Sequence, residues 1–430
     1  MRKLLPLLLT SLLFAGCGEK AESDIIIKDV GPTQNVEIIK LVDFADQDVD
    51  ITFWHAMAGS LEDELAKITD AFMALHPNIH IKLQNQGNYG DLQQKLTLTM
   101  VSPDQLPTLT QAYPNWMENA LYDGLVVDLS AYVNNPEIGI EGYNEDIVEG
   151  FREASVINGI IYSVPFSKST EVLWYNKTLL DELGLTPPTT FEQLAKTAKT
   201  ITDETGIVGC GFDSLSNFYT TYLYSEGKNL NPELDVTGPE SVAAINYYLK
   251  GVKDGYFRIA GTDIYHSGPF GNGLVAMYIG SNAGESFVKQ GVGDKFEIGV
   301  APYPSVASMQ QGTDIFMFTN STPEQRTAAY EYLKFLTNTE NQIDWGITTG
   351  YIPARHSALT TDAYINSGSL VAPIAEEATE NLYIISPNLE TDQAYRESAV
   401  VLETILAEPD EADVNKSLEN YEGTLLGIWE

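Results

Sequence analysis

The feature that most constrains the fold is an alternation of two hydrophobic patterns, which begins at Ile51. Short runs rich in β-branched and aromatic residues predict strands at residues 51–54, 79–83, 172–175, 274–279 and 315–318. After the first run, apolar residues are spaced for one face of a helix at Leu61, Leu65, Ile68, Phe72 and Leu75. Strands that alternate with helices are typical of α/β layers, so we predict an α/β fold with mainly parallel sheets.

Three positions carry signals for the start of a helix. Ser60 precedes the first helical pattern and is placed to cap it. Thr190 and Gln193 have the spacing of a capping box. Thr322 is followed by a proline, a residue favoured at the first helical position. We therefore predict helices that begin at these positions.

Length and charge narrow the class of protein. A chain of 430 residues has room for two or three domains with sizeable cores. The 24 Lys and Arg residues against 60 Asp and Glu residues give a formal net charge of −36. Such a surface repels phosphate backbones, so we expect no nucleic-acid partner.

The N-terminus has the pattern of a secretory signal peptide. Two basic residues precede an apolar run over residues 4–15 that is too short to span a bilayer, followed by Gly16 and Cys17. The stretch that ends at Cys17 resembles a bacterial lipobox, which predicts lipidation of Cys17. Phe14 stands where leucine is usual, so secretion without a lipid is the alternative. Lipidation would leave Cys210 without a disulfide partner, as a small buried hydrophobic residue.

Motifs for catalysis or cofactor binding are missing from the sequence. It has no HExxH, no GxSxG, no Walker A sequence and no GxGxxG between a strand and a helix. Two cysteines cannot make a tetrahedral zinc site or an iron–sulfur cluster. We therefore expect no catalytic residue, no metal and no cofactor. A hydrolase with a pair of carboxylates stays open as an alternative, because 60 acidic residues make close pairs inevitable.

Aromatic residues are abundant, with 23 Tyr, 16 Phe and 5 Trp. A cleft between two lobes can hold sugars on such side chains, because the flat aromatic faces match the C–H faces of pyranose rings. Trp54, Trp116 and Tyr222 lie near predicted strand ends or loops and are candidates for this role. The alternative for each of them is packing in a core.

Several segments, in order along residues 48–430, resemble the sugar-binding (maltodextrin-like) class of bacterial ABC-importer solute-binding proteins. The segments are ITFWHAMAGS at 51–60, PFSKSTEVLWYNK at 165–177, GLTPPTTFEQL at 184–194, and TGYIPAR at 349–355. The resemblance implies the class II periplasmic-binding-protein fold. In that fold, two α/β lobes are joined by three crossovers and the ligand lies in the cleft between them.

Within this class, the chain is most similar to the glycerol-3-phosphate-binding type. The resemblance implies ligand-binding roles for Tyr89, Ser169, Ser281, Gly312, Tyr351 and Arg396. For Tyr351 the alternative is hinge packing, and for Arg396 it is a surface ion pair. Two positions depart from the type: Pro114 stands where a glutamate touches the ligand, and Ser216 stands where a tryptophan stacks on it. A neutral saccharide and a glycerol phosphate therefore both stay open as ligands.

The resemblance also implies a division of the chain. Residues 1–17 are expected to form a lipoprotein signal peptide and 18–47 a flexible tether. The N-terminal lobe is expected to comprise 48–167 plus 316–352, and the C-terminal lobe 168–315 plus 353–430. The crossovers are expected near 166–171, 311–316 and 351–355.

The function implied is that of an extracytoplasmic, lipid-anchored binding component of an ABC importer. We expect a monomer that binds a small carbohydrate or glycerol phosphate and delivers it to permease subunits in the membrane. Two alternatives stay open: a surface lipoprotein that degrades polysaccharide, and a sensor that presents its closed lobes to a receptor.

Overall fold

The computed structural model describes residues 38–44 and 47–430. Cys17 and the rest of the predicted signal peptide lie outside the described residues, as do residues 18–37 and 45–46 of the predicted tether. The described part of that tether is packed against the protein. Ile39 is fully buried, and the Val42 N–H donates to Oγ1 of Thr327 at 2.9 Å.

The strands alternate with helices, as the hydrophobic patterns predict. In chain order the strands are β1 Val49–His55, β2 Ile79–Asn85, β3 Leu109–Ala112, β4 Val156–Ile157, β5 Ile160–Ile161, β6 Ser163–Ser169, β7 Glu171–Asn176, β8 Val208–Phe212, β9 Phe257–Ile259, β10 Val275–Ser281, β11 Ile298–Pro302, β12 Ser308–Met309, β13 Gln311–Met317 and β14 Leu382–Tyr383.

The α-helices range from single turns to five turns. They are α1 Ser60–Leu75, α2 Tyr89–Met100, α3 Glu118–Tyr122, α4 Ser130–Val133, α5 Glu149–Ala154, α6 Lys177–Leu183, α7 Phe191–Thr205, α8 Leu215–Ser225, α9 Pro239–Lys253, α10 Ser267–Gly271, α11 Glu285–Val292, α12 Pro323–Leu336, α13 Thr339–Thr349, α14 His356–Leu359, α15 Asp362–Ile365, α16 Ala375–Thr379, α17 Leu389–Ala407 and α18 Val414–Trp429.

Two five-stranded sheets organise the molecule. The first has the order β2-β1-β3-β13-β6 and the second the order β11-β7-β10-β8-β9. We call the sheets, with the helices packed on them, the N-terminal lobe and the C-terminal lobe. The core of the first draws on residues from 39–166 and 315–351, and the largest core of the second on 173–303 and 394–425.

Each sheet is mixed, so the expectation of mainly parallel sheets is wrong. In the N-terminal lobe β1 is parallel to β2 and β3, whereas β13 is antiparallel to β3 and β6. In the C-terminal lobe β8 is parallel to β9 and β10, whereas β7 is antiparallel to β10 and β11. Within these two sheets the antiparallel pairings all involve β7 or β13, which enter their sheets from the other lobe without a crossover helix.

The passages of the chain between the lobes lie side by side. Strand β6 ends at Ser169 and β7 begins at Glu171, and Gln311 at the start of β13 pairs with Ser169. The Ile352 N–H, just after α13, donates to the Lys168 carbonyl at 2.8 Å. The predicted boundaries at 167/168 and 315/316 fall inside β6 and β13. A division that keeps the first sheet whole would place both strands in the N-terminal lobe, and the division itself stays a prediction.

The helix starts show which capping signals operate. Thr322 and Gln325 form a full capping box ahead of α12, with Pro323 at its first position. The Thr190 hydroxyl accepts from the Gln193 N–H, but the Gln193 side chain accepts from Thr189, so this box is only half formed. Ser60 is the first residue of α1 and not its cap, because Gly59 holds that position with φ +60°.

Candidate functional site

A cleft of about 260 Å³ lies where the two lobes meet. The N-terminal lobe contributes the turn at Pro114–Met117 and its neighbours, the C-terminal lobe contributes the start of α17 and the segment before it, and the passages between the lobes contribute the floor. The lining residues are Tyr113, Pro114, Asn115, Trp116, Ala154, Met309, Gln310, Gln311, Ile384, Ile385, Ser386, Pro387, Asp392, Tyr395 and Arg396.

Aromatic rings form the wall of the cleft on the N-terminal lobe. The centroids of Tyr113 and Trp116 are 5.0 Å apart, and Tyr89 packs edge-on against both at 5.6 and 6.1 Å. All three rings are half-buried, so part of each stays accessible. The turn begins at Pro114, whose fixed φ suits the first position of a short helical turn. The arrangement provides apolar faces next to polar edges.

Tyr89 and Tyr351 meet behind this wall. Their hydroxyls are 2.7 Å apart and share a hydrogen bond. The side-chain amide of Gln111 donates to Tyr89 at 3.4 Å and to Oγ1 of Thr313 at 2.6 Å. Burial is the main cause that raises the pKa of Tyr89 and of Tyr351, so both hydroxyls are neutral donors and acceptors. Tyr351 also stacks on Trp345, with 6.0 Å between the centroids.

Ser169 and Gly312 lie on paired strands at the floor. Ser169 is 4% exposed, and its neighbour Lys168 pairs with Gly312 across β6 and β13. Gly312 has φ +86°, and a Cβ there would lie 2.0 Å from the Ser167 carbonyl oxygen. The position therefore requires glycine for its conformation and for the close approach of the two strands.

A buried ion pair fixes these strands. Lys168 Nζ lies 2.7 Å from Oδ1 of Asp314, and both side chains are fully buried. The hydroxyls of Ser155 and Ser163 donate to Oδ2 of Asp314 at 2.8 and 2.7 Å. Burial lowers the pKa of Lys168, and the Asp314 carboxylate opposes that shift. A buried ion pair is weak evidence of added stability, but loss of either partner would leave an uncompensated buried charge.

Arg396 lies at the cleft on the C-terminal lobe but is not free. Its Nε donates to Oδ2 of Asp392, one helical turn earlier in α17, at 2.8 Å. The Arg396 side chain is 56% exposed, whereas Asp392 is 18% exposed. Tyr395, between them in sequence, lines the same wall and is half-buried. The guanidinium therefore has a carboxylate partner and also faces solvent.

Two direct contacts join the lobes beside the cleft. The Asn115 side-chain amide donates to Oδ1 of Asp392 at 2.6 Å. Oε2 of Glu118 accepts from the Leu389 N–H, at the first residue of α17, at 2.5 Å. Burial is the main cause that raises the pKa of Glu118. The start of α17 is thus held from across the cleft as well as by its own cap, Asn388.

Of the residues predicted to bind ligand, Trp116 and Arg396 line the cleft. Tyr89 and Tyr351 lie directly behind Tyr113 and Trp116. Ser169 and Gly312 lie on β6 and β13, the paired strands at the floor of the cleft. The two departures from the family type differ in placement. Pro114 lines the cleft, whereas Ser216 is buried and donates to the Tyr395 carbonyl at 2.7 Å.

Three other candidates lie elsewhere. Trp54 is 7% exposed in the core of the N-terminal lobe, and its Nε1 donates to Gln84 at 2.7 Å. Tyr222 packs against Phe191 with 5.0 Å between the centroids, on the core of the C-terminal lobe. Ser281 caps the turn after β10 by accepting from the Ala283 N–H. These three residues do not line the cleft in this structure, and their ligand-binding roles stay predictions.

Sequence reasoning missed Asn115, Asp392 and Tyr395 as residues of the cleft. Asp392 stands four residues before Arg396, the spacing of an ion pair on one helix face, so that signal was present. Tyr395 is next to Arg396 and carries no separate signal. Asn115 follows a proline in a turn, which predicts exposure but not a partner in the other lobe.

The chemistry of the cleft suits the binding of an organic molecule with hydroxyls and apolar faces. Aromatic rings, amides and one compensated ion pair line it. Within residues 38–44 and 47–430, no group of three or more His, Cys, Asp or Glu side chains is placed to hold a metal ion. In the same part of the chain, no helix is long and apolar enough to cross a membrane.

Comparison with known proteins agrees with this geometry. Residues 67–372 match the family of bacterial extracellular solute-binding proteins. The sn-glycerol-3-phosphate-binding periplasmic protein UgpB of Escherichia coli K12 is 26% identical over 336 residues, which covers 72% of this chain and 75% of that protein. The UgpB of Shigella flexneri matches to the same extent.

Solved structures share the fold. UgpB from Mycobacterium tuberculosis, in complex with glycerophosphocholine, superposes with a TM-score of 0.77 at 22% identity, covering 88% of this chain and 98% of that one. The GacH receptor of Streptomyces glaucescens, solved unliganded and with acarbose, gives 0.75 at 20% identity, covering 90% and 100%. These likenesses confirm the predicted two-lobed α/β architecture.

Proposed function

Since the chain belongs to the family of bacterial extracellular solute-binding proteins, we propose that it is the binding component of an ABC importer for a carbohydrate-class ligand. The ligand would lie between the lobes, and closure on it would present the protein to permease subunits in the membrane. The observation that carries the proposal is the cleft itself, with aromatic rings on one lobe and Tyr395, Asp392 and Arg396 on the other.

A neutral saccharide is the first candidate ligand. Tyr113 and Trp116 offer adjacent rings at the cleft, and such surfaces pack on the C–H faces of sugars. Asp392 already compensates the charge of Arg396, and the chain carries a net charge of −36, so an anion would meet an opposing field. GacH was solved with acarbose, a carbohydrate-class ligand.

A glycerol phosphate ester is the second candidate. A guanidinium binds phosphate through parallel charge-assisted hydrogen bonds, and Arg396 lines the cleft. The curated relatives are named as sn-glycerol-3-phosphate-binding proteins, and a two-lobed neighbour was solved with glycerophosphocholine. Both candidates use the same cleft and differ in whether Arg396 leaves Asp392 for the ligand.

A thermal-shift screen of the mature protein tests the proposal. The panel would contain mono- and oligosaccharides, polyols, glycerol 3-phosphate and glycerophosphodiesters. A ligand at a hundredfold excess over its Kd stabilises the folded state by about 2.7 kcal/mol, which raises the melting temperature by several degrees. A panel without any shift, confirmed by silent titration calorimetry, would contradict a carbohydrate-class ligand.

We also propose that binding is not followed by turnover. The relatives are binding proteins by name, and the residues that line the cleft include no nucleophile paired with a base. Prolonged incubation with a tightly bound saccharide should return that saccharide intact by mass spectrometry. Hydrolysis products would instead support the alternative of a polysaccharide-degrading lipoprotein.

Tethering to the membrane through Cys17 is a further part of the proposal. It rests on the lipobox-like sequence that ends at Cys17. In a bacterial host that processes lipoproteins, Cys17→Ser should move the protein from the membrane to the soluble fraction without lowering its melting temperature. Equal membrane retention of both forms would contradict lipidation. A gene neighbourhood with permeases and an ATPase would favour import over a sensory role.

A further inference from the structure

A buried side-chain amide lies at the end of β10, outside the cleft described above. Asn282 directly follows β10 and is fully buried. Its Oδ1 accepts from the Thr170 N–H at 2.7 Å, and its Nδ2 donates to the Gly350 carbonyl at 2.6 Å. The Asn282 backbone N–H also donates to the Thr170 carbonyl at 3.1 Å. Both side-chain partners are backbone groups of fixed polarity, so only one orientation of the amide satisfies them.

The two partners of the amide belong to different passages of the chain between the lobes. Thr170 is the single residue between β6 and β7, where the chain first leaves the N-terminal lobe. Gly350 caps the end of α13, just before the last passage at Ile352. Asn282 itself follows a strand of the C-terminal sheet. One side chain therefore joins the first and last passages to the C-terminal lobe.

The remaining passage is tied to the same place through Thr170, which is also fully buried. Oγ1 of Thr170 donates to the Met309 carbonyl at 2.8 Å and is hydrogen-bonded to the Ser308 hydroxyl. These two partners form β12, directly ahead of β13. The hydrogen bonds of Asn282 and Thr170 together therefore reach all three passages.

The backbone at Gly350 is closely packed against this set. Gly350 has φ +78°, and a Cβ there would lie 3.3 Å from the Asn282 carbonyl oxygen and 3.2 Å from Cβ of Glu285. Glycine at this position lets the end of α13 approach the end of β10. The acceptor of the Asn282 amide is thus held in place by its surroundings.

Each of the three segments that meet at the Asn282 amide carries a residue predicted to bind ligand, next in sequence to a residue of the hydrogen-bonded set. These residues are Ser169, Ser281 and Tyr351. We propose that Asn282 is a positioning residue of the hinge, whose amide fixes these three segments relative to one another. The inference rests on the proposed function, because it assumes that a ligand binds between the lobes. Since Asn282 is fully buried, it acts through its neighbours.

Loss of the amide should affect both ligand binding and the placement of the lobes. Without it, the Thr170 N–H and the Gly350 carbonyl lose these partners, and the segments that carry them are free to shift. A ligand must then order the segments when it binds, and the cost of that ordering lowers its affinity. The hydrogen bond from Asn282 to Gly350 also joins one lobe to the other, so its loss leaves their relative orientation less well defined.

The first test measures ligand affinity by titration calorimetry, with maltose and glycerophosphocholine as probes. For a probe that binds wild type, we expect the Kd to rise about tenfold in Asn282→Ala. The control is Tyr332→Phe, which removes a buried hydrogen bond to Thr69 in the core of the N-terminal lobe. This control lowers stability away from the hinge and should change the Kd by less than about twofold. Equal Kd values for wild type and Asn282→Ala would overturn the proposal.

The second test measures the placement of the lobes and needs no ligand. Spin labels are attached at exposed positions of the two lobes through Leu75→Cys in α1 and Leu426→Cys in α18. The labelled protein is the mature chain with Cys17→Ser, in which Cys210 is buried and stays unlabelled. Pulsed electron paramagnetic resonance should give a broader distribution of the distance between the labels in Asn282→Ala than in wild type.

The outcomes of the two tests separate this proposal from the proposed function. A distance distribution that is the same in wild type, Asn282→Ala and Tyr332→Phe would refute the positioning role even where no probe binds. Equal broadening in both variants would also refute it, because the effect would then follow from lost stability. Failure of every probe to bind wild type would instead count against the proposed ligand class. If Asn282→Ala does not fold, Asn282→Ser, which can keep one of the two side-chain hydrogen bonds, undergoes the same two tests.

Discussion

The side-chain amide of Asn115 donates to Oδ1 of Asp392 at 2.6 Å, and this hydrogen bond joins the two lobes across the mouth of the cleft. Its acceptor carboxylate also holds Arg396 through the other oxygen. The Asp392 carboxylate therefore takes part both in the contact between the lobes and in the ion pair of Arg396, the candidate ligand-binding arginine. A ligand that binds the Arg396 guanidinium in place of Asp392 leaves the Asp392 carboxylate hydrogen-bonded to Asn115.

Removal of the Asn115 side chain should weaken ligand binding by disfavouring closure. Asn115→Ala leaves Asp392 paired with Arg396, so the loss is that of one hydrogen bond to a charged group, about 1.5 kcal/mol or about tenfold in Kd. Titration calorimetry with the ligand found in the screen measures this. Asn119→Ala, at an exposed position in the adjoining helix α3, is the matched control and should bind as wild type does. An unchanged Kd for Asn115→Ala would show that the contact contributes nothing to closure.

Substitution of Arg396 should separate the two classes of ligand. For a phosphate ester, Arg396→Ala should cost about 2–5 kcal/mol of binding free energy, and Arg396→Lys should restore only part of it because lysine lacks the planar fork. For a neutral saccharide the cost should stay below about 1 kcal/mol, since an exposed ion pair with Asp392 is all that is lost. Calorimetry of both variants against both ligands decides between these outcomes. A large loss with the saccharide would show that Arg396 contacts sugar hydroxyls directly.

The hydroxyl pair of Tyr89 and Tyr351 should contribute to stability. Tyr351→Phe leaves the Tyr89 hydroxyl without this partner in a buried setting, at a cost of about 1–2 kcal/mol in the free energy of unfolding. Urea denaturation of the variant measures this loss. The control is Tyr122→Phe, whose side chain is 58% exposed and should change stability by less than about 0.5 kcal/mol. Equal midpoints for the two variants would contradict a structural role for the pair.

Gly312 should not tolerate a side chain. Gly312→Ala forces a Cβ to within 2.0 Å of the Ser167 carbonyl oxygen at φ +86°, so strands β6 and β13 must separate at this point. We expect a loss of about 3 kcal/mol or more in the free energy of unfolding. Gly427→Ala, in helix α18 with open space around its Cβ, should instead gain up to about 1 kcal/mol. Thermal denaturation of both variants checks the contrast, and a wild-type melting temperature for Gly312→Ala would contradict it.

The free energy of unfolding should depend on pH through the titration of Glu171. The native pKa of about 8 lies above the unfolded value of 4.5, so between these values the native state retains a proton that the unfolded state has lost. In this window stability falls as the pH rises, with a limiting slope of about 1.4 kcal/mol per pH unit. Glu171→Gln lacks this loss, so its advantage over wild type should grow from pH 5 to about 8 and then level off. Chemical denaturation at several pH values measures the difference, and a constant difference would contradict the raised pKa.

Much of the fold could be predicted from the sequence because local patterns decide it. The runs at 51–54 and 79–83 become β1 and β2, and the helical spacing after Ile51 becomes α1. Strand direction could not be predicted in this way. Strands β7 and β13 are antiparallel to their neighbours because each enters its sheet from the other lobe without a crossover helix, and a local hydrophobic pattern does not record that connection. Ser60 and Gly59 are both acceptable N-cap residues. In the structure Gly59, with φ +60°, is the N-cap, and Ser60 is the first helical residue.

The residues of the candidate site could be predicted where the family resemblance pointed to them. They could not be predicted where core packing determines the position of the side chain. Trp116 and Arg396 line the cleft, and Tyr89 meets Tyr351 behind it. Trp54, near the end of β1, instead packs in a core. Composition and spacing do not distinguish these cases, since the side on which a strand-end side chain falls depends on the register of the whole sheet.

The interleaving of the chain between the lobes sets an order of assembly during synthesis. All five strands of the second sheet lie within residues 171–302, so that sheet can form as soon as this continuous stretch has been made. The first sheet is begun earlier, but β6 has no neighbour in it until β13, at residues 311–317, arrives between β3 and β6. The sheet that is begun first is therefore completed last. A chain truncated before residue 311 would expose the edges of β3 and β6 to non-native pairing.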